Sequence, residues 1–294
     1  MVFQLMAHAI IILWLNKALA LAAPQAKPNC SEKCGSLVIP YPFGMGSPHC
    51  YMNEWFAVTC NSSSDHPKPF IRSIGLEVLN ISLEGTVHVN SPVFSSNCHN
   101  RTGQVGVINL TDSPFSFSYR QNNFFAGGCD NLALLLAENQ TSIGGCMSIC
   151  NGNEGIDDGG CYGVNCCQTT IPSPLKFFNV SLGSFNSETD GGKCKYAFLA
   201  EDSSDTDATL AVQAMEYKYP LHLSAVLDWV IDTKTCDASD YSRFSTCGPN
   251  AYCSNLTSTT TQCFCDVGYK GNPNFSKGVQ INAWTRLTIL TAAG

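Results

Sequence analysis

The sequence predicts a mainly β, disulfide-rich chain built from several modules, and three observations carry that prediction. Seventeen cysteines are spread through 294 residues. An apolar leader precedes them all. Between them, apolar and polar residues alternate with the period of half-buried strands.

The leader, MVFQLMAHAIIILWLNKALALAA, holds an apolar block from Ala9 to Leu15. Small residues follow it, and both Ala18-Leu19-Ala20 and Ala20-Leu21-Ala22 fit a signal-peptidase site. Lys17 interrupts the run before it reaches the roughly 20 apolar residues a spanning helix needs. Residues 1–23 therefore read as a secretory signal peptide, which puts the cysteines in an oxidising compartment where they pair. N-x-S/T sequons at Asn61, Asn80, Asn100, Asn109, Asn139, Asn179, Asn255 and Asn274 predict surface glycans. A further sequon at Asn29 contains Cys30, which limits its use.

After a Pro-containing lead, the segment CSEKCGSLVIPYPFGMGSPHC (residues 30–50) is loop-dominated, with Pro40, Pro42 and Pro48 among its glycines. Strands follow. Trp55–Thr59 leads into Cys60, and Ile74, Leu76 and Val78 alternate, as do Leu79, Ile81 and Leu83. Glu84-Gly85 marks a tight turn before Thr86–Val89, and Phe115, Phe117 and Tyr119 line one face of Ser113–Arg120. Residues 144–167 combine glycines with five cysteines, a stretch that needs crosslinks to hold a shape. The segments QTTIPSPLKFFNVSLGSF and CKYAFL are again strand-like, and Asp207–Tyr217 carries a helical pattern. The expected division of the chain is residues 30–150, 151–235, 236–279 and a cysteine-free tail, 280–294.

Charge excludes one class of function. The net charge is −7, the opposite of what a nucleic-acid binder uses to displace counterions. Enzyme motifs such as G-x-S-x-G and H-E-x-x-H are missing, as are the glycine-rich loop, HRD and DFG motifs of a kinase. Cys146/Cys150 and Cys166-Cys167 imitate zinc spacing, but in a secreted chain disulfides are the expected state. Asp157-Asp158 does not make the oxygen cage calcium wants, and His49, His66, His88 and His99 lack ligand spacing, so neither metal nor cofactor is expected.

Cysteine arithmetic separates two regions. Residues 30–194 contain twelve cysteines, an even set that can close on itself, whereas residues 236–265 contain five. The spacing C-x10-C-x5-C-x9-C-x-C from Cys236 to Cys265, followed by Gly268-Tyr269, resembles an epidermal-growth-factor-like (EGF-like) module. CGSLVIPYPFG resembles the galacturonan-binding extracellular region of plant wall-associated receptor kinases. CYGVNCCQTTIP, CKYAFL and LDWVI resemble the segment that follows it in that family, and CGPNAYC…CFCDVGYKGNPN resembles the family's first EGF-like module. The resemblance covers residues 30 to about 278. It implies the pairs Cys236–Cys253 and Cys247–Cys263. It also implies a sixth cysteine, partner of Cys265, where this chain has Val279, which leaves Cys265 unpaired. The family pattern continues into a second EGF-like module, a transmembrane helix and a kinase, none of which is present in this chain.

The function the resemblance implies is non-catalytic binding of pectic galacturonan by a secreted, cell-wall ectodomain. Recognition of its carboxylates asks for Arg or Lys, with aromatic faces for the sugar rings. Residues 30–150 hold five basic against eight acidic residues, so binding there requires local clustering. The candidate cations are Lys68, Arg72, Arg101 and Arg120; Lys68 and Arg72 share a face of a straight strand unless Pro69 splits them. Tyr41 and Phe43 are either a stacking platform or packing beneath a Pro-stiffened loop. The alternative function is a protein-interaction module or soluble decoy acting through the EGF-like region, with full-length wall-associated receptor kinases or a secreted peptide as partner.

Overall fold

The computed structural model describes residues 23–98, 107–150, 161–185, 194–201, 223–231, 247–255, 261–275 and 277–281. The expected signal peptide but for Ala23, the helical pattern at 207–217, Arg101, Asn100 and nearly all of the tail lie outside them. The described residues are strands and loops, with 3-10 turns at Pro48–Cys50 and Glu54–Phe56, as the alternating patterns predict. They belong to two compact units. The larger is Lys33–Leu37 with Asn53–Ile231; the smaller joins the N-terminal residues to Glu32, Val38–Met52 and the residues from Asp232 on.

The larger unit contains three four-stranded antiparallel sheets. In the first, Cys166–Thr170, Asn122–Gly127, Lys195–Glu201 and Val93–Ser96 lie in that order. In the second the order is Ser142–Ser148, Asn131–Leu136, Phe177–Gly183 and Ile108–Asn109. The third orders Val78–Ser82, Thr86–Asn90, Ser224–Trp229 and Phe115–Phe117. The boundary expected at residue 150 is crossed twice over, because Asn122–Gly127 pairs with strands from beyond it on both sides.

Phe115 and Phe117 point inward and are fully buried, as their alternation requires, and Glu84-Gly85 turns the chain between two paired strands. The core is aromatic. Phe56 meets Phe115 and Trp229 at centroid distances of 5.5 and 6.0 Å, and Phe178 contacts both Phe94 and Phe117. Buried polar groups are tied to backbone: Asn122 donates to the carbonyls of Ser118 and Val226 and accepts from Val226 N. A buried amide with such partners contributes where an unpaired one would cost about 1–3 kcal/mol.

All twelve cysteines of residues 30–194 pair among themselves: Cys30–Cys50, Cys34–Cys60, Cys98–Cys194, Cys129–Cys150, Cys146–Cys167 and Cys161–Cys166. The zinc-like spacings are thus disulfides. Cys30, His49 and Cys50 are the one metal-like group among the described residues, and their two sulfurs are bonded to each other.

In the smaller unit, Ala251–Asn255 pairs with Thr261–Cys265, and Tyr269–Gly271 pairs with Val279–Ile281. Cys247–Cys263 forms as the resemblance implies, and Cys265 is free. Cys253 is disulfide-bonded, and Cys236 lies outside the described residues. The centre of this unit is Asn272, fully buried, whose Nδ2 donates to the carbonyls of Gln25 (3.0 Å) and Tyr41 (2.6 Å). The ring of Phe275 meets Tyr41 edge-on at 5.8 Å. Gly271 has φ +123°, and a Cβ there would strike the Gly278 carbonyl that accepts from Asn272 N. The residues before Cys30, the IPYPFG loop and the EGF-like module therefore fold together.

Candidate functional site

Within the larger unit, the hairpin of Val58–Asn61 and Lys68–Ile71 gathers two of the candidate cations. Its pleat sends Val58, Pro69 and Ile71 inward, all buried. The opposite face therefore carries Thr59, Asn61, Lys68 and Phe70, with Arg72 next along the same alternation. Pro69 does not split the cations, because the strand runs through it in register with Cys60. Arg72 N donates to the Ala57 carbonyl and Ile71 N to that of Leu76, which hold the strand between its neighbours.

The face is an aromatic ring flanked by two cations, with Thr59 directly opposite Phe70. Over four residues of strand, Lys68 and Arg72 stand about 13 Å apart. Both are already paired. Lys68 Nζ lies 2.9 Å from Glu77, whose carboxylate is only 12% exposed and also accepts from Asn90. Arg72 lies 3.5 Å from Glu54, and this pair is open to water at 44% and 71% exposure. Arg72 Nε also donates to Thr59 Oγ1. The Glu77 pair is built in, whereas the Glu54 pair is a surface contact of small net value.

The other candidates lie elsewhere. Arg120 follows the strand Phe115–Phe117, donates from Nε to Tyr119 Oη and faces Asp228. Tyr41 and Phe43 are 7% and 0% exposed, and this corrects the stacking platform. The Tyr41 ring is enclosed between Phe275 and the Lys27 ammonium, 4.1 Å from its centroid, so neither residue offers a face to a sugar. Burial pushes the Tyr41 hydroxyl up and the Lys27 amine down from their ordinary values.

Among the sequons, Asn61, Asn80, Asn109 and Asn139 are exposed and Asn179 is half-buried. Asn274 is corrected. It is 6% exposed and its Nδ2 donates to Asn272 Oδ1, so the atom that would carry sugar is packed inside.

Sequence reasoning missed Phe70, Glu54 and Glu77. The signal for Phe70 was present in KPFIR, whose alternation sets Lys68, Phe70 and Arg72 against Pro69 and Ile71. Nothing in the sequence places Glu54 or Glu77 beside them.

Asp228 gives a pH prediction. Burial holds its carboxyl above the ordinary value of 3.8, against smaller opposing pulls from a Ser118 hydrogen bond and the Arg120 charge. The folded chain thus binds this proton more tightly than the unfolded chain. The associated stability is full below the unfolded pKa and is lost as pH rises through the folded one. Asp228→Asn should raise Tm at neutral pH, with the gain fading on acidification toward the unfolded value. Equal gains at both ends of a Tm-versus-pH series would refute this account.

Comparison with known proteins gives the class. Residues 30–91 match the family described as wall-associated receptor kinase galacturonan-binding, and residues 158–238 match the family described as wall-associated kinase. The chain is 32% identical to wall-associated receptor kinase 2 of Arabidopsis thaliana over 87% of its length and 35% of the relative's. It is 31% identical to wall-associated receptor kinase-like 5, covering 85% and 38%, and 29% identical to putative wall-associated receptor kinase-like 13, covering 86% and 41%, both also of Arabidopsis thaliana. No solved structure matches. The chain is thus similar over most of its length to part of the wall-associated receptor kinases, and it spans less than half the length of these relatives. No helix among the described residues is long and apolar enough to cross a membrane.

Proposed function

We propose that this chain acts outside the cell, without catalysis, as a binder of de-esterified pectic galacturonan, through the outward face of the Val58–Asn61/Lys68–Ile71 hairpin. The observation that carries the proposal is that Lys68, Phe70 and Arg72 line one face inside the segment that matches the galacturonan-binding family. Carboxylates of the polymer would compete with Glu54 for Arg72, and sugar rings would lie against Phe70. The enclosed Glu77 keeps Lys68 in place as a partly neutralised donor.

The test is oligogalacturonate binding by the full chain across a salt series. Arg72→Ala should weaken binding about tenfold, the loss of one charge-assisted contact. Glu54→Gln should tighten it by freeing Arg72. Both effects should shrink as salt rises. Identical binding by wild type and both variants would remove the site from this face.

One observation favours a second reading, a protein contact through the EGF-like module. Tyr252 is 51% exposed while stacked on Phe264, and Val267 is fully exposed. Capture of a receptor-kinase ectodomain or secreted peptide that Tyr252→Ser abolishes, with pectin binding absent, would select it.

A further inference from the structure

We infer that an N-linked oligosaccharide on Asn61 covers the hairpin face and sets how much of it a polyanion can reach; this rests on the reading of that face as the galacturonan site. The register places Asn61 directly opposite Lys68, in the same outward row as Thr59 and Phe70. Residues paired across an antiparallel ladder have Cβ atoms about 5 Å apart. The first sugar on Asn61 therefore stands beside the Lys68 ammonium, and the branches beyond it reach Phe70.

The local geometry presents the right atom. Ser63 donates to Asn61 Oδ1 from both its backbone N (3.0 Å) and its Oγ (2.7 Å). The carbonyl side of the carboxamide is thus turned into the chain, and Nδ2 projects from an exposed residue at the end of a strand. Its modification is a transfer from a lipid-linked oligosaccharide diphosphate. Nδ2 attacks the anomeric carbon, the C1–O bond to the diphosphate breaks, an Nδ2–C1 bond forms, and the amide proton is released.

The other described sequons do not share this placement. Asn80 lies opposite His88 in a different sheet, and Asn109 lies opposite Phe177. Asn139 is the natural control. Thr141 makes the same pair of hydrogen bonds to its Oδ1, from N and Oγ1, and it is exposed on the loop after Asn131–Leu136, a strand of a different sheet from the hairpin. A glycan there adds mass and solubility without shading Lys68, Phe70 or Arg72. A glycan also brings no cation to a face whose charges are already balanced by Glu54 and Glu77, so occupancy of Asn61 can only reduce access.

The experiment compares full-length wild type, Asn61→Gln, Ser63→Ala and Asn139→Gln, all secreted from one eukaryotic host. Peptide mass spectrometry reads occupancy at Asn61, and titration with oligogalacturonate reads binding. Ser63→Ala keeps the Asn61 side chain while removing the sequon, which separates the glycan from the carboxamide. Wild type should be occupied at Asn61. Asn61→Gln and Ser63→Ala should both bind about tenfold more tightly, the gain expected when one charge-assisted contact becomes reachable, with Asn139→Gln unchanged. An unmodified Asn61 peptide overturns the inference. So does equal binding by wild type and the two Asn61-sequon variants, and this outcome leaves the galacturonan reading standing. Absence of binding by every form, Asn61→Gln included, overturns the galacturonan reading and the masking with it.

Discussion

Asn272→Ala should destabilise the smaller unit by about 1–3 kcal/mol, because it leaves the buried Tyr41 carbonyl without its donor, while the Gln25 carbonyl keeps Tyr41 N. Asn272 Nδ2 is the donor that joins Gln25 and Tyr41 to the EGF-like module, and its Oδ1 accepts from both N and Nδ2 of Asn274. Asn272→Asp separates the two roles. It keeps the acceptor, loses the donor and sets a carboxylate against two carbonyls, so it should be at least as damaging as Ala. The local readout is Cys265, whose sulfur sits 3.7 Å from the Gly271 carbonyl, beside Asn272. Burial, and then the Asp266 charge, hold that thiol above its ordinary pKa, so it reacts slowly in the folded chain. Both variants should speed its modification by a thiol reagent. Unchanged reactivity and Tm would show that Asn272 does not hold the unit together. The same geometry means that a fragment ending near residue 235 leaves the Tyr41 and Gln25 carbonyls without the Asn272 amide.

Val279→Cys should give Cys265, the one free thiol among the described residues, a bonded partner, adding about 3 kcal/mol, the value for a closed loop of about 15 residues. Val279 is paired with Gly271 across the hairpin, and the Cys265 sulfur lies against that same Gly271. The position that the cysteine spacing leaves vacant is therefore the position the fold brings up to the orphan sulfur. Thiol titration of the denatured protein should fall from one group in the wild type to none in the variant, with Tm rising. Two titratable thiols in Val279→Cys would show that the hairpin holds the sulfurs apart.

Much of the β framework was legible from local pattern. Strand alternation is a short-range signal, and Phe115, Phe117 and the turn at Glu84-Gly85 sit where it puts them. The parity of the cysteines was also legible, since twelve before residue 195 must either close or leave a thiol. Their connectivity was not. Cys146–Cys167 interleaves with Cys129–Cys150 and encloses Cys161–Cys166, and that depends on which strands lie side by side. The candidate site divides in the same way. The pair of cations on one face follows from the period of a strand, but the carboxylates that neutralise them come from a turn and a neighbouring strand. Tyr41 shows the cost of judging a ring from its own loop, because Phe275, which closes one side of it, is more than 200 positions away.

The sequence by itself determined that this chain is a β-rich, disulfide-bonded relative of the wall-associated receptor kinase ectodomains, with Cys265 left over. Periodicity, parity and motif order are all properties of the linear chain. Only the tertiary structure decided that the N-terminal loop and the EGF-like module form one unit, that Asn274 is closed to sugar and that Asn61 overlooks the cations. Those facts depend on burial and cross-strand register, which arise when distant segments share one core and one ladder.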